Sequence, residues 1–339
     1  MAHPLFGPEI RMLLLEDNPI AMKAFVETLH PRTVAEALAE DHFSVEQIWK
    51  VLGQAEPRQQ AIVFEYFPLE WQVKLAEGAG RPQMAKLIEL MSHDDRVALL
   101  RRLSKQVYEA LLRLVDDADR RDIANLFRYA ENSVGAIMTT DYAWLPALLT
   151  AGQAIERLRQ QAPDRETIYY VYVLDEPTRR LLGILSLRAL VMADPATPIR
   201  DLMDSNGLAT LKASDDRERA AEALARFDLL AIPVQDDDGR LVGIVTHDDI
   251  LDVITEEATE DLQKQAGVGP FSGNYLETSF FKIWRKRAFW LSVLFVAELA
   301  TFTVMAEFED ALATILVLSL FVPLCISTGG NSGSQAATL

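Results

Sequence analysis

The chain has 339 residues, half of them hydrophobic, and a formal net charge of −17 at pH 7. This length allows two or three domains. The negative charge excludes nucleic acid as a partner, because phosphate contacts need lysine and arginine. Divalent cations suit such a surface, since hard metals prefer carboxylate oxygens; a charge that only solubilises is the alternative. The single cysteine, Cys325, cannot build a disulfide framework or a zinc site.

Residues 1–130 predict a helical domain. Apolar residues recur three and four positions apart, for example within 84–91, as on one face of a helix. Prolines divide the stretch at short intervals, at Pro57, Pro68 and Pro82. We therefore expect a stack of short helices, as in a superhelical repeat array. An ordinary all-helical domain without a repeat is the alternative.

Residues 131–262 hold 25 acidic and 12 basic residues, and two stretches within them echo each other. Each stretch, 168–190 and 230–250, passes from a β-rich run through a turn into a second apolar run and then a helix. Gly183 and Gly243 occupy the same place in the two stretches, 60 positions apart. The pattern predicts two copies of one small α/β unit.

The repeat resembles a tandem pair of CBS domains, expected at about 138–195 and 199–256. Residues 236–239 predict a hairpin turn. Ser186 and Thr246 are predicted to cap the helices that follow them. The resemblance implies a pair that binds adenine nucleotides or cations in its cleft and dimerises.

The last part of the chain predicts membrane helices. Residues 263–287 are expected to form a connecting helix, and 288–339 two transmembrane helices. The first apolar run, 289–305, is interrupted by Glu298, and the second covers 312–326. Basic residues just before the first run mark that side as cytoplasmic. No signal peptide is visible, so we expect a multi-pass protein of the cell membrane with its N-terminal region in the cytoplasm.

The second apolar run continues without a charge into glycines, hydroxyls and amides. Gly329, Gly330, Asn331 and Gly333 are predicted to line an ion pathway where the backbone opens toward a cation. For Gly333, close packing between helices is an equally good interpretation, because small residues let helices approach each other.

The order of an acidic helical domain, a CBS pair, a connecting helix and this membrane segment resembles the MgtE family of magnesium channels and transporters. The stretches that carry the resemblance are 168–173 with Asp175 and Glu176, 185–190, 193–195, 240–245, 248–253, 257–261 and 329–339. The resemblance implies a homodimer with five membrane helices per chain. Three of those helices, with the acidic residue of the pore, would then follow Leu339.

The resemblance also implies a magnesium sensor that closes the pore when cytosolic Mg²⁺ is high. Crowded carboxylates repel each other when bare, and a bound divalent ion draws their domains together. The predicted metal ligands are Asp95, Asp216, Asp249, Asp252, Glu257, Glu260 and Asp261. For each of them, a solvated surface acid or a helix N-terminal charge is the alternative.

A membrane-anchored regulatory module that binds ATP or AMP is the alternative function. CBS sites typically use a Ser or Thr and, three positions later, an Asp, which Thr246 and Asp249 match. Tyr172 and Arg188 are further candidates for contact with a nucleotide. The five histidines are scattered and no nucleophile–base spacing appears, so the sequence predicts that the protein is not an enzyme.

Overall fold

The computed structural model has an all-helical first domain, then two α/β units, then long helices, as the sequence predicted. Two compact units divide between Glu257 and Ala258. The structure describes residues 6–40, 43–205, 207–265, 280–310 and 316–337.

Ten short helices build the first domain. They are α1 (Gly7–Glu16), α2 (Pro19–Thr28), α3 (Pro31–Glu40), α4 (Val45–Leu52), α5 (Pro57–Glu65), α6 (Leu69–Gly78), α7 (Arg81–Leu90), α8 (His93–Arg102), α9 (Lys105–Leu112) and α10 (Asp117–Leu126). Proline stands in the first turn of several of them, where its missing N–H would be unsatisfied anyway. From α2 to α10, each helix packs on the helix two places further along. This is the stacking order of a superhelical array.

The predicted helical periodicity is confirmed by the core of this domain. Met84 and Ile88, one turn apart on α7, are fully buried, and they join Phe64, Leu75 and Leu99 from neighbouring helices. Burying such side chains is the main favourable contribution to folding.

Each α/β unit is a three-stranded sheet covered by helices. The strands are β1 (Tyr142–Pro146), β2 (Thr167–Leu174), β3 (Leu181–Ser186), β4 (Leu211–Lys212), β5 (Ala231–Gln235) and β6 (Leu241–Thr246). The helices are α11 (Ala151–Gln161), α12 (Leu187–Met192), α13 (Ile199–Leu202), α14 (Arg217–Phe227) and α15 (His247–Gln265), with short 3₁₀ turns at Val134–Ala136 and Ala162–Asp164. In both sheets the first two strands are parallel and the last two antiparallel.

The repeated glycines have the same structural role in both units. A Cβ on Gly183 would lie 2.8 Å from the carbonyl oxygen of Asp204, and a Cβ on Gly243 would lie 2.8 Å from that of Thr139. Asp204 lies before β4, the first strand of the second unit, but bridges to β3 of the first unit, and Thr139 lies before β1 of the first unit but bridges to β6 of the second. The two units therefore exchange segments, and only glycine permits the close approach.

The predicted hairpin turn is confirmed between β5 and β6. The Asp236 carboxylate accepts hydrogen bonds from the N–H groups of Asp238 at 3.0 Å and Arg240 at 2.8 Å. Gly239 takes a left-handed conformation, φ +76°, that other residues rarely adopt. Ser186 caps α12 as predicted, since its hydroxyl accepts from the N–H of Ala189 at 3.1 Å.

The helical domain and the α/β pair share buried surface. Val97 of α8 and Leu126 of α10 belong to the same apolar cluster as Leu224 and Ile232 of the second α/β unit. This packing brings the N-terminus of α8 close to the second unit.

The last unit contains two long helices, α16 (Phe280–Glu307) and α17 (Leu316–Ala337). Among the described residues, one stretch is long and apolar enough to cross a membrane: Ile283–Glu307, with 25 residues and a mean hydropathy of 1.8. This coincides with the first predicted span. The second predicted run, 312–326, has its first residues, 312–315, outside the described part of the chain, and a second span stays a prediction. The predicted connecting helix also lies mostly outside them, at 266–279.

Candidate functional site

Acidic side chains gather where α8 begins. Asp94 and Asp95 lie in its first turn, after the N-cap residue Ser92. Glu65, at the end of α5, accepts a hydrogen bond from the Ser92 N–H at 2.6 Å through Oε1. Helix N-termini attract negative charge, so this local arrangement tolerates three carboxyl groups close together.

These carboxyl groups resist ionisation. Burial first, and then the charges of Glu65 and Asp249, raise the pKa of Asp95 to about 8. Burial, and then the charge of Asp95, raises the pKa of Asp94 well above its usual range. The pKa of Glu65 rises to about 7, again through burial first and then through Glu166 and Asp249. Each acid is therefore held in a site that disfavours its charged form.

Asp249, near the start of α15, completes this group. Its pKa is raised well above the usual range by burial and then by the charge of Asp94. The Thr246 hydroxyl lies 2.5 Å from an oxygen of Asp248 and 2.5 Å from an oxygen of Asp249. A hydroxyl has one proton to donate, so both contacts are satisfied when Asp249 is protonated. Thr246 and Ser186 occupy equivalent positions in the two units, but the Thr246 hydroxyl contacts carboxyl groups. The Ser186 hydroxyl instead caps a helix.

The helical domain, the first α/β unit and the second all contribute to this group. We call its members the interface acids: Glu65, Asp94, Asp95, Glu166 and Asp249. Within the described ranges, Asp94, Asp95 and Asp249 form no ion pair. The sequence predicted Asp95 and Asp249 as metal ligands, and the structure brings these two acids into one electrostatic group. It also adds Glu65, Asp94 and Glu166.

Two basic side chains of the same helix, His93 and Arg96, pair with a different set of acids. The guanidinium of Arg96 is fully buried and pairs with Asp119 at 2.8 Å and Asp122 at 2.7 Å. The ring of His93 lies 3.1 Å from Asp122 and 3.0 Å from Asp141, just before β1. A chain of alternating acidic and basic side chains therefore runs from Arg96 through Asp122 and His93 to Asp141, and it links the helical domain to the first α/β unit.

The pKa values of this group fit that arrangement. Burial alone would lower the pKa of His93, but the hydrogen bonds to Asp122 and Asp141 outweigh burial and raise it to about 9. Burial alone would raise the pKa of Asp122, but His93 and Arg96 outweigh burial and lower this pKa to about 2. Sequence reasoning missed these residues, because Arg96 meets its two partners 23 and 26 positions along the chain.

The second half of α15 carries acids that already have a cation. Arg217, the first residue of α14, has its Nη2 atom 2.6 Å from Oε1 of Glu257 and its Nη1 atom 3.0 Å from Oε2 of Glu256. Glu257 was predicted as a metal ligand, and the structure gives it an arginine partner that the sequence did not reveal.

The other predicted ligands lie apart from the interface acids or at the surface. Asp216 caps α14, and its carboxylate accepts from the Glu218 N–H at 3.0 Å, which matches the helix-cap alternative. Asp252 is exposed on α15, one turn after Asp249. Lys264 pairs with Glu260 at 3.0 Å and with Asp261 at 3.9 Å.

No preformed metal cage is present in the described part of the chain. No group of three or more His, Cys, Asp or Glu side chains is arranged there to hold a metal ion. An ion bound at the interface acids would therefore keep much of its water, as Mg²⁺ commonly does in proteins.

The predicted nucleotide contacts fall in different environments. Tyr172 is fully buried between the two sheets, with its ring edge-to-face against Tyr142 at 5.9 Å between centroids. Its ring is thus part of the core in this conformation. Arg188 is exposed on α12. Thr246 and Asp249 lie together at the start of α15, in hydrogen-bond contact.

The predicted pore residues lie on α17. The helix runs without interruption through Gly329, Gly330, Asn331 and Gly333, all of which are exposed. No opening of the backbone is seen at these four positions, where the glycines are accommodated within the helix. A role of these residues in lining a pathway stays a prediction.

An acidic helical domain that shares a core with a CBS pair, followed in sequence by a long apolar helix, defines a class of membrane proteins with a CBS module. The model of the MgtE intracellular N domain matches residues 29–132, and the CBS domain model matches 134–196 and 199–256. The magnesium transporter MgtE of Thermus thermophilus is 34% identical over 329 residues, which cover 96% of this chain and 72% of that protein. The chain belongs to the MgtE family of magnesium transporters.

Two solved structures are similar to the first unit. One, described as the soluble part of a magnesium transporter, has a TM-score of 0.69 and 30% identity over 74% of this chain and 98% of that chain. The other, the cytosolic domain of the Mg²⁺ channel MgtE in complex with ATP, has a TM-score of 0.68 and 33% identity over 73% of this chain and 99% of that chain. The predicted resemblance is confirmed. So is the prediction that the protein is not an enzyme, because the family consists of transporters.

Proposed function

We propose that this chain takes part in magnesium transport across the cell membrane and that its first unit senses Mg²⁺ in the cytoplasm. The names of the relatives support transport as the activity. The observation that supports sensing is the group of interface acids, which raise each other's pKa across the boundary between the helical domain and the CBS pair.

The physical basis of the sensor is charge repulsion across a movable boundary. Two like charges about 4 Å apart repel by roughly 4 kcal/mol at an effective dielectric near 20. A full conformational switch requires roughly 5.5 kcal/mol. A few ionised pairs at the interface acids therefore suffice to separate the domains, and a hydrated divalent ion between them cancels the repulsion.

Negative feedback follows from this basis. High Mg²⁺ closes the boundary, and the predicted connecting segment, 263–287, transmits the closed state to the membrane helices, which block the pathway. The basic residues Lys282, Arg285, Lys286 and Arg287, at the N-terminal end of the apolar helix, support a cytoplasmic location for the first unit. CBS pairs commonly dimerise, and we propose a homodimer in the membrane.

Limited proteolysis tests the sensor. The chain in detergent is digested over a series of Mg²⁺ concentrations, with sodium chloride adjusted to keep the ionic strength constant. We expect Mg²⁺ to protect the boundary near residues 130–140. Identical digestion with and without Mg²⁺ would contradict the proposal, and equal protection by sodium alone would show only charge screening.

Nucleotide binding to the CBS pair is a second candidate function. It is supported by the related cytosolic domain that was solved in complex with ATP and by the contact between Thr246 and Asp249. Calorimetry with ATP and AMP tests it, with Thr246→Val as the variant and Thr178→Val, at an exposed turn, as the control. Heats of binding that Thr246→Val leaves unchanged would rule out this site.

A further inference from the structure

His93 joins the helical domain to the first α/β unit through its two ring nitrogens. Nδ1 lies 3.1 Å from Oδ2 of Asp122 on α10, and Nε2 lies 3.0 Å from Oδ2 of Asp141, just before β1. Ionised carboxylates only accept hydrogen bonds, so both ring nitrogens donate and the ring is a cation. The side chains of His93, Asp122 and Asp141 are 17%, 24% and 28% exposed, so solvent screens the contact only in part. We call these three residues the His93 bridge.

Each acid of the His93 bridge also has a cation in its own domain. Nη2 of Arg96 lies 2.7 Å from Oδ2 of Asp122 within the helical domain, and Nη1 of Arg165 lies 3.3 Å from Oδ1 of Asp141 within the first α/β unit. Removal of the imidazolium therefore leaves neither carboxylate without a positive partner. The contact that is lost is the one across the boundary, so the role of His93 can be separated from that of the fully buried Arg96.

The His93 bridge lies next to the interface acids on both sides of the boundary. On α8, His93 directly precedes Asp94 and Asp95. In the first α/β unit, the carbonyl of Asp141 accepts a hydrogen bond from the N–H of Glu166 at 2.9 Å. Ionised interface acids repel each other across the boundary, whereas the imidazolium attracts a carboxylate across the same boundary. This attraction uses protein groups alone, so it acts whether or not Mg²⁺ is bound.

We propose that the His93 bridge holds the helical domain against the first α/β unit without a metal ion, and that it thereby lowers the Mg²⁺ concentration at which the first unit closes. The second half of this inference rests on the proposed sensing function, whereas the first half does not. The bridge offsets part of the repulsion among the interface acids, so a larger fraction of chains is closed before an ion binds. A ligand that binds the closed form needs a lower concentration when more of that form is already present.

The test measures how fast a protease cleaves the full chain in detergent near residues 130–140 in Mg²⁺-free buffer. This rate follows the population of the open form when opening and closing are faster than cleavage. His93→Gln keeps a hydrogen-bond donor but removes the charge, and should raise the rate by roughly threefold to tenfold, where tenfold corresponds to about 1.4 kcal/mol. The control is Arg102→Gln, which removes a charge from the last turn of the same helix, where Arg102 is 58% exposed and pairs with Glu131 at 3.6 Å. Its rate should change less than twofold.

A Mg²⁺ titration separates an effect on closure from an effect on folding. In His93→Gln, the Mg²⁺ concentration at half-maximal protection should rise by up to the same factor as the Mg²⁺-free rate. Saturating Mg²⁺ should then restore the protection of the original chain, because the closed form is still accessible. Faster cleavage of His93→Gln at every Mg²⁺ concentration, saturation included, would show that His93 only supports the fold, and it would overturn the inference.

The remaining outcomes distinguish the bridge from the sensor. If the original chain does not respond to Mg²⁺, the sensing function fails, and the effect of the bridge on the Mg²⁺ response fails with it. The comparison in Mg²⁺-free buffer still decides whether the bridge holds the boundary. An unchanged rate for His93→Gln in that buffer overturns the inference even if Mg²⁺ protects the original chain. If His93→Gln does not fold, Asp141→Asn weakens the same contact from the other unit, and a rate within twofold of the original chain overturns the inference.

Discussion

The two halves of α15 show two ways to keep carboxylates close together. At its start, Asp249 faces other acids, and burial and like charge keep its pKa high. Two turns later, Glu256 and Glu257 share the guanidinium of Arg217. The first arrangement is unfavourable whenever the acids are ionised, and the second is favourable because they are ionised.

This difference shows that an acidic residue cannot be judged from its type alone. Neutralising an acid in the first half removes repulsion, whereas neutralising one in the second half removes an ion pair. The same Glu→Gln or Asp→Asn substitution should therefore change stability in opposite directions at two places on one helix.

The largest effect is expected from Arg96→Met. This change removes a fully buried cation and leaves Asp119 and Asp122 without it. Breaking a buried ion pair in this way costs about 3–5 kcal/mol. Thermal unfolding in Mg²⁺-free buffer should show a clearly lower midpoint, and α8 should no longer hold Asp94 and Asp95 against α15.

The matched control for Arg96 lies on the same helix. Arg102 is 58% exposed and pairs with Glu131 at 3.6 Å, so Arg102→Met should cost less than about 1 kcal/mol. Equal losses in the two variants would mean that burial of Arg96 does not matter, and the role of α8 as an anchor would have to be abandoned.

Glu257→Gln should give the second largest effect. It removes a hydrogen-bonded pair with Arg217 that is mostly buried, and such bonds to charged groups are worth about 1.5–3 kcal/mol. We expect a loss near the lower end of that range, measured as a fall of the unfolding midpoint without Mg²⁺. Glu109→Gln is the control, because Glu109 is 51% exposed and its contact with Lys105 is long, at 3.9 Å. A gain in stability for Glu257→Gln would erase the contrast between the two halves of α15.

Asp249→Asn should have the opposite sign. The amide has nearly the same shape and can donate to the Thr246 hydroxyl, while the unfavourable charge disappears. Without Mg²⁺ we expect stabilisation by about 1 kcal/mol, or about 2–4 °C in the unfolding midpoint. The same variant should lose part of its protection by Mg²⁺. Asp238→Asn, at an exposed hairpin position with 69% exposure, should change neither measurement.

Much of the fold could be predicted because its signals are local or repeated. The apolar spacing within 84–91 predicted a helix face, and the 60-residue distance between Gly183 and Gly243 predicted two equivalent units. The structure adds the reason for the repeat, which is the close approach of Asp204 and Thr139 to these glycines. Local chemistry also predicted the turn at 236–239.

The site was less predictable because charge partners are distant in sequence. Asp95 and Asp249 were both named as ligands, but nothing in their spacing showed that Glu65 and Glu166 would join them. Arg217 lies 40 positions before Glu257, so no helix or strand period connects the two. A single sequence shows which acids are present, whereas the packing decides which of them remain without a cation.

Protonation of the interface acids should relieve part of the charge repulsion that Mg²⁺ would otherwise relieve. The folded-state pKa values of Asp95, about 8, and Glu65, about 7, lie above their ordinary values of roughly 4. Between pH 4 and 8 the folded chain therefore binds more protons than the unfolded chain, and stability falls as pH rises. His93, with a pKa of about 9, contributes in the same direction between its ordinary value of 6.5 and pH 9.

Without Mg²⁺, the unfolding midpoint should therefore increase when the pH is lowered from 8 to 6. The slope should be on the order of the roughly 1.4 kcal/mol per pH unit that one fully differential proton gives, because solvent still screens these partly buried groups to some degree. In Asp249→Asn the slope should be smaller, since one of the charges that raises the pKa of Asp95 and Glu65 is gone. A midpoint that rises with pH in the original chain would mean that the interface acids, Asp249 at the start of α15 among them, are stabilised as anions. The two halves of the helix would then behave alike.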